Sequence, residues 1–340
     1  MRDSRHLVNS PNPALSSGVA RKAAFAACHD RLLFHKTVEQ GGRTTMNIGL
    51  AGLGAMGANV ALRLMEVGHQ VTVWNRSPEK TKPLADAGAK VAATPAALAA
   101  SSEAIITLLT DAKSIDQVYS GPNGLLSGDV KGKMFIEMST VAPKVHTDLD
   151  AKVRPTGAVL VECPVGGSTI PARKGQLLGL MGATPEDAAR ARPLLEQMCR
   201  KVEHCGPVGA AAAMKLAINL PLMVAWQAYG EAFAIARSAG WEPKRLVDLL
   251  VESNGGNKAI AARADMIVTM FEGRDPGPTT FSIDNGIKDL RTMIETGEGL
   301  GAEMIATKAA LAGFEDASKS GIGGGDGSKM AVYWADRKKK

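Results

Sequence analysis

The sequence predicts an α/β chain in two parts: a doubly wound, mostly parallel sheet, then an all-α part reached along one long helix. Three observations carry this. A glycine turn spaced G-x-G-x-x-G stands between an apolar run and an amphipathic helical pattern. Short apolar runs then alternate with helical segments as far as residue 207. Beyond that point no strand-like run occurs, and a long apolar stretch opens the second part.

From Met46, the run NIGLAGLGAMGANVALRLMEVGHQVTVWNRS reads as strand, turn, helix and strand. Ile48 to Leu53 is the first apolar run, and Gly52, Gly54 and Gly57 make the turn. Val60, Leu62, Leu64 and Met65 mark the helix face, Gly68 stops it, and Gln70–Trp74 is the second strand. In that context the spacing has a mechanism. Gly52 permits the tight turn, Gly54 lets the backbone approach a pyrophosphate, and Gly57 lets helix and strand pack closely. The helix N-terminus then faces the phosphates. A Rossmann-type domain over residues 46–207 follows, with an all-α domain for substrate and oligomer contacts over 208–335.

The end of the second strand selects the cofactor. An NAD site places Asp or Glu there for the ribose hydroxyls; this chain has Asn75-Arg76-Ser77. Arg76 can pair with a 2′-phosphate, and none of the three repels it, so NADP(H) is expected over NAD(H). Further strands are expected over 104–109, 135–139 and 158–165, with a helix carrying His146 after the second of these. Ligands lie at the carboxyl ends of such strands, which puts Leu109, Thr110, Ser139 and Thr140 beside the cofactor.

The second part opens with a helix from near Val208 to Gly240, about 45 Å long, with Pro221 as a candidate kink. Further helices are expected over 243–252, 258–271, 283–295 and 303–318. Within GAAAAMKLAINLPLMVAW (209–226) the only polar side chains are Lys215 and Asn219. Four residues apart, they share one helix face. No carboxylate lies near them in sequence, and a buried, unpaired Lys is costly and loses basicity. The bland reading is a lysine snorkelling to water. After a dinucleotide half, and with an amide on the same face, placement for chemistry is the preferred reading.

Composition narrows the classes. The net charge of +6 sits at the ends: residues 1–45 carry +4 and 336–340 carry +3, leaving −1 for the body. Solvated tails explain this better than a nucleic-acid face. Four cysteines (Cys28, Cys163, Cys199, Cys205) form no CxxC pair. Free thiols in a reducing, cytoplasmic setting fit them, and no metal-ligand spacing is present. No apolar run of membrane-spanning length is free of polar interruption, so no membrane partner is expected. Residues 1–45 lack periodicity, and Gln40-Gly41-Gly42 before Met46 is one translation of a purine-rich ribosome-binding sequence. Met46 is therefore read as the natural start, with a mitochondrial presequence as the alternative.

Four ordered motifs over residues 46–330 resemble those of the β-hydroxyacid dehydrogenases. GLAGLGAMGANVA looks like the family's cofactor turn, ECPVGGSTIPARKGQL (162–177) its substrate loop, GPVGAAAAMKLAIN (206–219) its catalytic helix, and GIKDLRTM (286–293) its C-terminal Lys-Asp segment. The resemblance implies an NADP(H)-dependent, reversible reduction of a small aldehyde acid of the semialdehyde or glyoxylate type. It implies Lys215 as general acid/base with Asn219 beside it, and Leu53, Ala55 and Met56 with the turn glycines around the cofactor. It places Lys288 near the cofactor, Thr140 near the nicotinamide, and a helical domain that forms dimers or tetramers. Where the family reads P-V-S-G-G, this chain has Pro164-Val165-Gly166-Gly167-Ser168. The anion-binding role then falls to backbone N–H groups of Gly166 and Gly167, with Ser168 or Thr169 supplying the hydroxyl.

Three rivals are set aside. A non-catalytic NADP-binding sensor or scaffold has no use for Lys215 and Asn219 on one face. An imine reductase of similar architecture usually lacks the helix lysine. A lactate-type enzyme needs a His base, and no His follows His204.

Overall fold

The computed structural model describes residues 45–337. The expectation about the first 45 residues, and most of the basic C-terminal tail, fall outside them.

The first half builds one nine-stranded sheet. Its strands are β1 (Asn47–Ala51), β2 (Gln70–Trp74), β3 (Lys90–Val91), β4 (Ala104–Thr107), β5 (Met134–Glu137), β6 (Val159–Glu162), β7 (Val165–Gly166), β8 (Leu177–Gly182) and β9 (Cys199–Gly206). The order is β3-β2-β1-β4-β5-β6-β8-β7, with β9 on β8. Strands β3 to β6 in that order run parallel, β8 is antiparallel to β6 and β7, and β9 is parallel to β8. The connecting helices are α1 (Ala55–Glu66), α2 (Lys82–Asp86), α3 (Pro95–Ala100), α4 (Ala112–Ser120), α5 (Pro143–Val153), α6 (Thr169–Arg173) and α7 (Pro185–Leu195).

Both faces of the sheet are buried, which is why the central strands are continuous apolar runs rather than alternating ones. Ile48, Ile106, Ile136 and Val161 enter one core; Ile105, Phe135 and Leu160 enter the other. The order reverses between β1 and β4, and that switch point opens the ligand crevice at the strands' carboxyl ends.

The second half is helical: α8 (Ala210–Ala236), α9 (Pro243–Glu252), α10 (Lys258–Ala261), α11 (Ala264–Phe271), α12 (Ile283–Gly299), α13 (Ile305–Ala317) and α14 (Lys329–Asp336). Its core gathers Leu216, Met223, Trp226, Tyr229 and Phe233 of α8 with Leu290, Phe314 and Met330. Helix α8 continues through Pro221 without a break.

Several expected boundaries shift for identifiable reasons. The strand expected over 158–165 is two strands, because Pro164 has no N–H for the ladder. The helix expected over 258–271 is two, because Arg263 leaves helical backbone (φ −122, ψ 5). Its guanidinium reaches Thr280 and Asp326 instead. Strands β8 and β9 and helix α14 are absent from the expectations. In β9, Arg200, Lys201, Glu203 and His204 are exposed, so the strand carries the charges of a sheet edge rather than an apolar run.

Candidate active site

The glycine turn folds as its spacing predicts. Gly52 has φ +98, open to glycine at little cost. A methyl on Gly57 would collide with the Gly52 carbonyl, whereas one on Gly54 would meet nothing within 4 Å. Gly54 thus faces open space at the N-terminus of α1, and no side chain caps that helix. The first-turn N–H groups are left for an anion. Asn75 ties the turn to the end of β2: its Oδ1 accepts the Leu53 N–H (2.9 Å), and its Nδ2 donates to the Ser77 carbonyl (3.0 Å). Arg76 between them is exposed. Across the crevice Asp111, held low first by the Ser114 N–H, also feels the charges of Lys288 and Arg76. Leu109 and Thr110 lie between β4 and α4, and the Leu109 N–H donates to Ser139 Oγ (2.7 Å).

Lys215 is 8% exposed, in the second turn of α8. Its Nζ donates to Asn219 Oδ1 at 3.2 Å. Burial pulls the ammonium down to about 8; Asp289 opposes this and Lys288 reinforces it. The absence of a nearby acid in sequence is thus corrected in space. Asp289 of α12, buried at 2% exposure, lies close enough to act on Lys215 and pairs with Lys288 at 2.7 Å. Lys288 Nζ also donates to the Thr140 carbonyl (2.7 Å), so α12 bridges the helical half to the turn after β5. Lys215–Asn219 and Lys288–Thr140 are thus two hydrogen-bonded pairs, close enough that the charges of Asp289 and Lys288 act on Lys215. Residues Gly166–Thr169 join β7 to α6. Gly167 has φ +126, and Ser168, at the N-cap of α6, makes no capping bond.

A row of buried polar groups crosses the sheet's carboxyl edge, and the sequence reading missed it. Thr107, Glu137 and Glu162 end β4, β5 and β6, face one another in register, and are fully buried. Burial pushes each glutamate up to about 7 against the hydrogen bonds it accepts. The available signal was a carboxylate closing each of two apolar strands, in FIEMS and LVECPV. Among the described residues, no cluster of His, Cys, Asp and Glu has an arrangement that holds a metal ion. No described helix is long and apolar enough to cross a membrane.

Residues 47–206 match the family described as the NAD binding domain of 6-phosphogluconate dehydrogenase. Residues 209–334 match that described as NAD-binding of NADP-dependent 3-hydroxyisobutyrate dehydrogenase. Over 287 residues the chain is 30% identical to glyoxylate/succinic semialdehyde reductase 2, chloroplastic, of Arabidopsis thaliana, covering 84% of this chain and 78% of that protein. The chain belongs to the β-hydroxyacid dehydrogenase family. It is also 35% identical to the mitochondrial 3-hydroxyisobutyrate dehydrogenase of Mus musculus over 208 residues. That match takes in 61% of this chain and 62% of the mouse protein, under two thirds of its length. The solved structure of Mycobacterium tuberculosis 3-hydroxyisobutyrate dehydrogenase with L-serine superimposes with a TM-score of 0.74 at 25% identity, covering 85% of this chain and 99% of that one. Within this β-hydroxyacid dehydrogenase framework, the glycine turn lies in the first matched region and Lys215, Asn219 and Lys288 in the second.

Proposed function

We propose that the protein is an NADP(H)-dependent oxidoreductase that reversibly reduces a small aldehyde acid to its hydroxy acid, with Lys215 as the general acid/base. The observation that carries this is a buried ammonium held near neutrality, bonded to Asn219, on a helix tied through Asp289 and Lys288 to the crevice. The residues present fit a dinucleotide: Gly52, Leu53, Gly54, Ala55, Met56 and Gly57 border the open, uncapped start of α1. The bound cofactor supplies the hydride that the carbonyl carbon accepts. Lys215 Nζ gives a proton to the oxygen as negative charge develops there; in oxidation the neutral amine takes that proton back. Asn219 orients Nζ. Lys288 holds Thr140 in the turn that would receive the nicotinamide. Gly166 and Gly167 N–H groups, with Ser168 or Thr169, receive the substrate carboxylate. NADP(H) is preferred because Arg76 is free to pair with a 2′-phosphate, in keeping with the NADP-dependent description of the second matched family.

The test is consumption of NADPH, with NADH beside it, against glyoxylate, succinic semialdehyde, tartronate semialdehyde, methylmalonate semialdehyde and sulfolactaldehyde. Rapid turnover of one of them with NADPH is the expected result; tight NADPH binding with no turnover of any would count against the reading. The same assay carries a pH signature. Reduction needs Lys215 protonated, so kcat/KM should be level below about 8 and fall as pH rises past it. Oxidation of the product needs the neutral amine, so its kcat/KM should rise up to that pH and then level. Profiles without this mirror relation would assign the proton to another group.

The active form is proposed to be a dimer or tetramer. Helix α8 is apolar nearly all round, yet Met214, Ile218 and Ile235 are 47%, 46% and 76% exposed. Such a helix normally buries every face, and a second copy of the chain supplies the cover. Light scattering should report an oligomer that Ile218→Lys weakens; a monomeric wild type would refute this part.

A further inference from the structure

Glu162 and Glu137 are buried acids that the proposed chemistry does not use. His146 of α5, also fully buried, lies beside Glu162, with Nε2 4.0 Å from Oε1. Burial pulls His146 down to about 4, so the ring is neutral at physiological pH and does not offset the acids. They are satisfied elsewhere. Glu162 accepts the Gly209 N–H on Oε2 and the Ala212 N–H on Oε1. These donors belong to the first turn of α8, whose N–H groups have no partner within the helix.

Two glycines fit the carboxylate to that place. Gly209, at φ +99, has a backbone suited to glycine where the chain turns into α8. Gly182 stands opposite Glu162 on β8, and a methyl there would collide with Oε2. A carboxylate is also the charge that a helix N-terminus favours. Glu137 anchors the other side of the crevice. Its Oε1 accepts the Ser139 N–H (2.7 Å), and its Oε2 accepts the Thr107 hydroxyl, which accepts in turn from Tyr119 (2.9 Å). Ala212, Lys215 and Asn219 follow at spacings of three and four, on one face of α8.

We infer that Glu162 is a positioning residue: it fixes the first turn of α8 and so holds Lys215 in register with the Ser139–Thr140 turn that Glu137 anchors. This rests on the reading of Lys215 as the proton donor. The two carboxylates are neighbours on adjacent strands, so the donor's helix and the nicotinamide-side turn hang from one rigid edge of the sheet. A misplacement of about 1 Å at reacting groups costs about 100-fold in rate.

The test compares Glu162→Gln, Glu162→Asp and Lys215→Ala with wild type, using NADPH with glyoxylate and with succinic semialdehyde. Glu162→Gln should keep the wild-type Kd for NADPH and lose about 100-fold in kcat, because its amide NH₂ faces one of the two N–H donors. Glu162→Asp should recover part of that loss by restoring two acceptor oxygens. In cofactor-free protein, amide exchange should quicken over 209–215 in Glu162→Gln and stay unchanged in the sheet. Wild-type kcat in Glu162→Gln, or a loss explained by weaker NADPH binding, overturns the inference. Should Glu162→Gln not fold, Glu162→Asp decides: reduced kcat at unchanged NADPH affinity supports the role. Wild-type kcat there, or failure of both variants to fold, overturns it. Wild-type turnover by Lys215→Ala would instead refute the donor reading itself. An inert Lys215→Ala beside a fully active Glu162→Gln would refute positioning alone. If wild type turns over neither probe, the exchange pattern decides whether Glu162 anchors the helix.

Discussion

Replacing Lys215 with methionine should cut turnover sharply and raise the melting temperature in the same protein. The rate loss follows from removing the proton donor, worth about 10²–10⁴-fold. The stability gain follows from burial. An ammonium whose ordinary value of 10.5 is pulled to about 8 in the folded state costs roughly 3 kcal/mol of folding free energy at neutral pH. The sign is set by the depressed folded value: the penalty is full below about 8 and fades as pH rises toward the unfolded lysine's value of about 10.4. Methionine is unbranched and apolar, so it fills the same buried space without the charge. Thermal melts near pH 7 should show a rise of several degrees, shrinking as pH climbs past about 8 and nearly gone above pH 10. Titration with NADPH should show unchanged affinity. A destabilised variant would mean that the ammonium is well solvated or well paired in the native protein. A variant that turns over substrate at the wild-type rate would remove Lys215 from the chemistry.

Replacing Arg76 with alanine should collapse the preference for NADPH over NADH. A hydrogen bond to a charged group contributes about 1.5–3 kcal/mol, which sets a rise of about 10- to 100-fold in KM for NADPH. NADH, with no 2′-phosphate, should be used much as before. The position favours a clean readout: Arg76 is exposed, and the neighbouring Asn75, not Arg76, secures the turn through Leu53. Equal KM values for NADPH before and after the change would place the phosphate contact elsewhere in the crevice.

The parts of the fold that sequence makes visible are those whose signal is local. The turn from Gly52 to Gly57, the strand Gln70–Trp74 and the helix Pro243–Glu252 follow from glycine spacing, β-branched runs and apolar periodicity within a few residues. Lys215 and Asn219 were legible for the same reason, since one helix turn separates them. What stayed hidden depends on distant partners. Asp289 meets Lys215 only when α12 packs against α8, and nothing within the segment GIKDLRTM marks it as facing that lysine. Glu162 reads as a strand-end acid until its partners, Gly209 and Ala212, come together from some fifty residues away. The missed strands β8 and β9 run on a different rule from the central ones: the first is interrupted by glycines, the second by edge charges.

The most direct test of the central claim follows the hydrogen itself. NADPH deuterated at the transferable position of its nicotinamide is mixed with the aldehyde acid that turns over best, and the hydroxy acid is analysed by mass spectrometry and NMR. Hydride transfer assisted by Lys215 requires one deuterium per product molecule at the former carbonyl carbon with wild type, and labelled product formed about 10²–10⁴-fold more slowly with Lys215→Met. Product without deuterium, or labelled product formed equally well by Lys215→Met, would contradict it.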